Sequence, residues 1–104
     1  MSSYINAKEE LLEQIKNIKE IYKADLLCAS INFDGTIFFE LKQGYTKEEF
    51  DLFLSSLDFE YKNGYGSQFL YGMLWMTNGV WVDREEYDGS EWWESHQYLS
   101  LIHI

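Results

Sequence analysis

The chain has 104 residues, enough for one hydrophobic core but not two, so a single domain over residues 1–104 is expected. Its composition, 46% hydrophobic and 18% aromatic, excludes a disordered chain. A formal charge of −10, from 18 acids against 8 bases, opposes binding to nucleic acid or anionic membranes and favours basic partners.

The first residues, MSSYINAKEELLEQ, hold no apolar segment of signal length, and no run approaches the roughly 20 apolar residues of a membrane span. A soluble, cytoplasmic protein is expected. Asn6 and Glu9 have capping-box spacing, and Leu11, Leu12, Ile15, Ile18, Ile21 and Tyr22 follow at helical period, predicting an amphipathic helix over residues 4–24. The runs LLCASINF and TIFFELK flank Asp34 and Gly35, the strongest short-range hairpin signal. Cys28 lies in the first of these runs; as the one cysteine it makes no intrachain disulfide, and it reads as a small buried hydrophobe in a reducing compartment.

Thr46 and Glu49 repeat the capping-box spacing, and Phe50, Phe53, Leu54 and Leu57 form the stripe of a second, short helix. FEYKNGYGSQ reads as a loop that admits a brief strand over Phe59 to Tyr61. QFLYGMLWMT, VWVDREEY and SEWWESHQYL, separated by Asn78-Gly79 and Asp88-Gly89, form a three-stranded meander. The order αββαβββ implies an α+β domain: a single antiparallel sheet of about five strands with the two helices packed on one face.

If both meander turns are two-residue loops, Thr77 faces Val80 and Tyr87 faces Ser90. Phe69, Tyr71, Met73, Trp75, Val80, Val82, Arg84, Glu86, Glu91 and Trp93 then share one sheet face. Asp83 falls opposite Glu94 and Glu86 opposite Glu91, two like-charge pairs that cost stability. Such pairs beside tryptophans point to a surface held for a partner, where aromatic side chains anchor and carboxylates match a basic target. The competing reading makes the tryptophans core and the acids a solvated hairpin tip, with Arg84 stacked on Trp93.

Charge is skewed toward the same region. Residues 1–52 carry six lysines and ten acids, whereas residues 53–104 carry Lys62 and Arg84 against eight acids.

Enzyme chemistry finds no motif. Paired carboxylates need a cleft, and a hairpin tip is convex. Asp83, Glu94 and His96 could bridge a divalent cation, but they lack EF-hand spacing, and His96 and His103 have no cysteine or HExxH context. The glycines of YKNGYGSQ carry no basic residue placed for phosphate. No catalytic residue, cofactor or metal centre is expected.

Around residues 65–94, a GYG loop, an aromatic-rich strand, a turn and then EYDGSEWW follow in order. This resembles a pattern in small accessory proteins of bacteriophages and prophages, and it covers about 30 of the 104 residues. The resemblance carries no catalytic residue. It implies genomic company in which small acidic proteins occlude nucleic-acid-binding surfaces of CRISPR or restriction complexes.

Charge and resemblance together give the expectation of a non-enzymatic acidic inhibitor. It would bind a basic, nucleic-acid-handling host protein or nucleoprotein complex in the host cytoplasm, by an anti-CRISPR or anti-restriction kind of DNA mimicry. Asp83, Glu85, Glu86, Asp88, Glu91 and Glu94 would be its phosphate-like charges and Trp81, Trp92 and Trp93 its anchors. An immunity-type protein that neutralises a toxin nuclease uses the same physics, and a small metal-dependent hydrolase is the alternative from another class. An uncovered aromatic face also leaves a homodimer open.

Overall fold

The computed structural model describes residues 3–64 and 68–97. The elements are β1 (Ser3–Asn6), α1 (Ala7–Tyr22), β2 (Leu26–Phe33), β3 (Ile37–Leu41), α2 (Lys47–Ser56), β4 (Glu60–Asn63), β5 (Leu70–Met76), β6 (Trp81–Tyr87) and β7 (Ser90–His96). The fold is α+β and its strand pairs are antiparallel, but the single sheet expected from sequence is replaced by two. Five strands pair in the order β3-β2-β5-β6-β7, and β1 pairs separately with β4. Tyr65, Gly66 and Ser67 of the GYG loop, and residues 98–104 with His103, lie outside the described residues. Among the described residues no helix is long and apolar enough to cross a membrane.

The extra sheet arises at the start of α1. Asn6 is extended (φ −83, ψ 122), and its side chain accepts a hydrogen bond from Glu9 N at 3.0 Å, so the helix begins at Ala7 rather than at residue 4. The segment before the cap is therefore free to pair, and Ile5 lies opposite Tyr61. Asn6 Nδ2 also donates to Asp58 Oδ1 at 3.0 Å, and Ala7 N donates to Phe59 O at 2.9 Å, which holds the two strands together beside the helix. At the other end, Lys23 takes a left-handed φ of 56 and stops α1. The α2 cap forms as predicted: Glu49 N donates to Thr46 Oγ1 at 3.1 Å while Thr46 N donates to Glu49 Oε1 at 2.8 Å.

One apolar core joins all of this. Ala7, Leu11, Ile15 and Ile18 of α1, with Phe53 of α2 and the following Leu57, pack with Ile31, Leu41, Leu70, Leu74, Val82 and Trp93 of the large sheet. Both helices thus cover the same sheet face. Along β5 to β7 the opposite face carries Tyr71, Met73, Trp75, Trp81, Asp83, Glu85, Trp92, Glu94 and His96, none fully buried, and among the described residues no element covers it. Cys28 pairs with Trp75 and is half-buried, not a core residue as the sequence suggested; a register shift between Leu26 and Cys28 turns it away from the core side.

The meander register corrects the predicted one at its first turn. Only Gly79 has positive φ there; Asn78 does not, so this is not a type I′ turn. Met76 N donates to Val80 O at 2.8 Å and Gly79 N to Met76 O at 3.3 Å, giving a three-residue loop of Thr77, Asn78 and Gly79. Trp75 therefore faces Trp81, and Leu74 faces Val82. Because strand side chains alternate with period two, this one-residue change moves all of β5 to the other face relative to β6. Asp88-Gly89 behaves as predicted, with both residues at positive φ and Tyr87 opposite Ser90.

Gly79 has φ +90 and nothing within 4 Å of the position a Cβ would take, so substitution there tests backbone conformation alone. Gly79→Val is expected to lower stability by more than about 1 kcal/mol in urea denaturation, because a β-branched residue resists the left-handed region. A variant that unfolds at the parent's midpoint would contradict the bulged turn.

Candidate functional site

The large sheet sorts the tryptophans. Trp93 points inward at 6% exposure, whereas Trp75 and Trp81 are half-buried on the uncovered face and Trp92 lies there at 39% exposure. Two cross-strand rows organise that face: Ser30, Met73, Asp83 and Glu94 in one, and Cys28, Trp75, Trp81 and His96 in the next.

Hydrogen bonds and ring stacking hold several polar groups of the face. Trp92 Nε1 donates to Glu94 Oε1 at 2.8 Å. His96 Nε2 lies 2.9 Å from Asp83 Oδ1, and its ring stacks on Trp81 at 4.2 Å between centroids with the planes 22° apart. A hydrogen bond to Asp83, and then the Asp83 charge, hold the Glu85 carboxyl above its ordinary range. Asp83, Glu85 and Glu94 thus concentrate negative charge between indole rings on a rigid support.

Of the nine residues expected to meet a partner, the structure brings five onto this face: Trp81, Asp83, Glu85, Trp92 and Glu94. Glu86 and Asp88 are exposed at the β6–β7 turn, where Glu86 Oε2 accepts from Gly89 N at 2.8 Å. Glu91 and Trp93 do not join them, which corrects the expected surface. Glu91 is 2% exposed and lies on the core side. Its Oε1 accepts from Arg84 Nη2 at 2.6 Å and Leu70 N at 3.0 Å, and its Oε2 accepts from Phe69 N at 2.7 Å.

Glu91 still sits opposite Glu86 in the register, as predicted, but the pair does not form a joint acidic patch. Glu91 is matched by a buried cation. Charge reversal at Glu91 would place a lysine beside Arg84 in the core, so it does not probe a surface.

Arg84 centres that buried network. Besides Glu91, its Nη2 donates to Tyr61 Oη at 2.9 Å, and its Nη1 lies 3.0 Å from Glu10 Oε2, near enough to pair as ions though off the line of the N–H. Its guanidinium carbon lies 4.9 Å from the centre of a Trp93 ring, the cation–π contact anticipated from sequence. Burial disfavours the Arg84 charge, but Glu10, Tyr61 and Glu91 together outweigh it and raise its pKa. Tyr61 is held neutral, its pKa raised chiefly by burial despite the opposing Arg84 charge. Tyr61 Oη in turn donates to Glu10 Oε1 at 2.5 Å.

Sequence reasoning missed Trp75, Met73 and Tyr71 as members of the open acidic face, having placed them opposite it. The signal that would have found them is the clean sorting of Leu70, Leu74 and Met76 with Val80 and Val82, which a three-residue turn produces and a two-residue turn does not. No protein-family model, curated protein or solved structure matches this chain.

Proposed function

We propose that the chain is a non-enzymatic acidic inhibitor that docks through its open sheet face on a basic, nucleic-acid-handling host protein and so occludes that protein's nucleic-acid site. The observation that carries this reading is the mixture on one uncovered face of Trp75, Trp81 and Trp92 with Asp83, Glu85 and Glu94. Aromatic rings supply contact area at small entropic cost, and fixed carboxylates match cationic side chains. A sheet holds both in place before contact. The net charge of −10 steers the encounter toward a basic surface. The resemblance of EYDGSEWW to phage accessory proteins, combined with this charge, supports the anti-defence part of the reading.

Capture of basic nucleic-acid-binding proteins from host lysate tests the reading. The double variant Glu85→Lys, Glu94→Lys reverses two charges on the face and spares the buried network. It is expected to fold like the parent and to lose at least about tenfold in capture, while the parent's own capture weakens with salt as charges are screened. Glu20→Lys, Glu48→Lys makes the same change in net charge on the exposed sides of α1 and α2 and is expected to keep capture. Equal loss in both variants would reduce the effect to net charge and remove the face from the account. Selective capture of a toxin nuclease would identify the immunity-type function instead.

A further inference from the structure

We propose that Asp83, Glu85 and His96 form a binding site for a divalent transition-metal ion of the zinc class. One ligand atom from each residue lies within 4.8 Å of the other two, and all three side chains are half-buried on the open face of the large sheet. Asp83 and Glu85 are two apart on β6 and so share that face, while His96 reaches Asp83 from β7 with its Nε2 2.9 Å from Asp83 Oδ1. A tetrahedral ion about 2.0–2.2 Å from each donor needs the donors roughly 3.4 Å apart, so small side-chain rotations close the set.

The ligands are supported from outside the set. Stacking on Trp81 fixes the plane of the His96 imidazole, and a held ring loses less freedom on binding a metal than a free one does. Glu94 lies opposite Asp83 on β7 and adds negative charge beside the site. A cation relieves the repulsion that these carboxylates otherwise carry across the strand pair.

The donor chemistry selects the metal. One imidazole with two carboxylates, open to solvent on one side, suits a borderline ion that accepts three protein ligands and water. Calcium requires six to eight oxygen donors, and magnesium takes carboxylates with an octahedron of waters in preference to imidazole. The sequence reading weighed Asp83, Glu94 and His96 and expected no metal centre; the structure puts Glu85 in place of Glu94, because the β6 alternation sets Glu85 beside Asp83 while Glu94 is engaged by Trp92. The site needs no protein partner, so its test is independent of the proposed inhibitor role.

The test is titration of untagged, chelator-stripped protein with zinc chloride, read by calorimetry and by the proton resonances of the histidine rings. The expected result is saturable binding of one ion per chain, with the His96 ring resonances shifting to completion at one equivalent and those of His103 unmoved. His96→Gln and Asp83→Asn are each expected to weaken binding at least tenfold, and His103→Gln to leave it unchanged. The ring resonances of the parent decide the matter even where a variant fails to fold. Absence of saturable binding, a shift at His103 in place of His96, or calcium binding as tightly as zinc would overturn the assignment.

Discussion

Replacing Arg84 with methionine is expected to cost the domain about 3–5 kcal/mol, measured as a lowered urea midpoint at unchanged slope. The substitution keeps an apolar stem of similar length but leaves Glu91, 2% exposed, without its cation. Glu10 loses its cation as well, but at 17% side-chain exposure it can turn partly toward water. Glu91 cannot. A total stability of 5–15 kcal/mol is usual for a domain, so the variant stands close to unfolding at ordinary temperature.

Glu91→Gln tests the same network from the other side. The amide offers one oxygen where the carboxylate offers two, and Arg84, Leu70 and Phe69 all donate to that group. At least one donor is left facing an NH2, at a cost of about 1–3 kcal/mol. The double variant Arg84→Met, Glu91→Leu removes both charges and is expected to lose less than the two single changes added, since neither ion is then stranded. An Arg84→Met protein as stable as the parent would show that the network contributes nothing and would return Glu91 to the list of surface acids.

Gly72→Ala is the second large effect expected, about 3 kcal/mol or more by the same measurement. Gly72 lies opposite Ile31 in the pairing of β2 with β5, which joins the β2–β3 hairpin to the meander. Its φ is +154, and an added Cβ would lie 2.6 Å from Ser30 O and 2.9 Å from Ile31 Cα. Both obstacles are backbone, so no rotamer change relieves them; the strands must separate or shear. Gly35→Ala is the control. Gly35 has φ +73 with open space around it, so only the local conformational cost of about 1–2 kcal/mol applies. Equal losses in the two variants would mean that the close approach of β2 and β5 is not felt as a constraint.

Much of the element list was legible in the sequence because the signals are local. A cap needs only its own side chain and the backbone three residues on, so Thr46 with Glu49 marks the start of α2 without reference to the rest of the chain, and Asn6 with Glu9 carries the same signal for α1, although the helix was expected from residue 4. Asp34-Gly35 and Asp88-Gly89 take positive φ at both positions and form hairpins for the same reason. Composition alone likewise determined an acidic, aromatic-rich domain with one cysteine.

Tertiary structure decided which side chains share a face. Asn78 keeps negative φ while Thr77 N donates to Asp25 O at 2.9 Å in the connection after α1, and that one turn inverts β5 against β6. The fate of Glu91 was equally non-local. Its partners are Arg84, seven residues earlier, and the backbone of Phe69 and Leu70, more than twenty residues earlier. A carboxylate in EYDGSEWWE reads as solvated until a cation and two N–H groups are brought around it, because burial of charge depends on what the fold assembles rather than on sequence neighbours. The same holds for Asp83, Glu85 and His96: β-strand alternation puts the first two on one face, but only the pairing of β6 with β7 carries the imidazole to them.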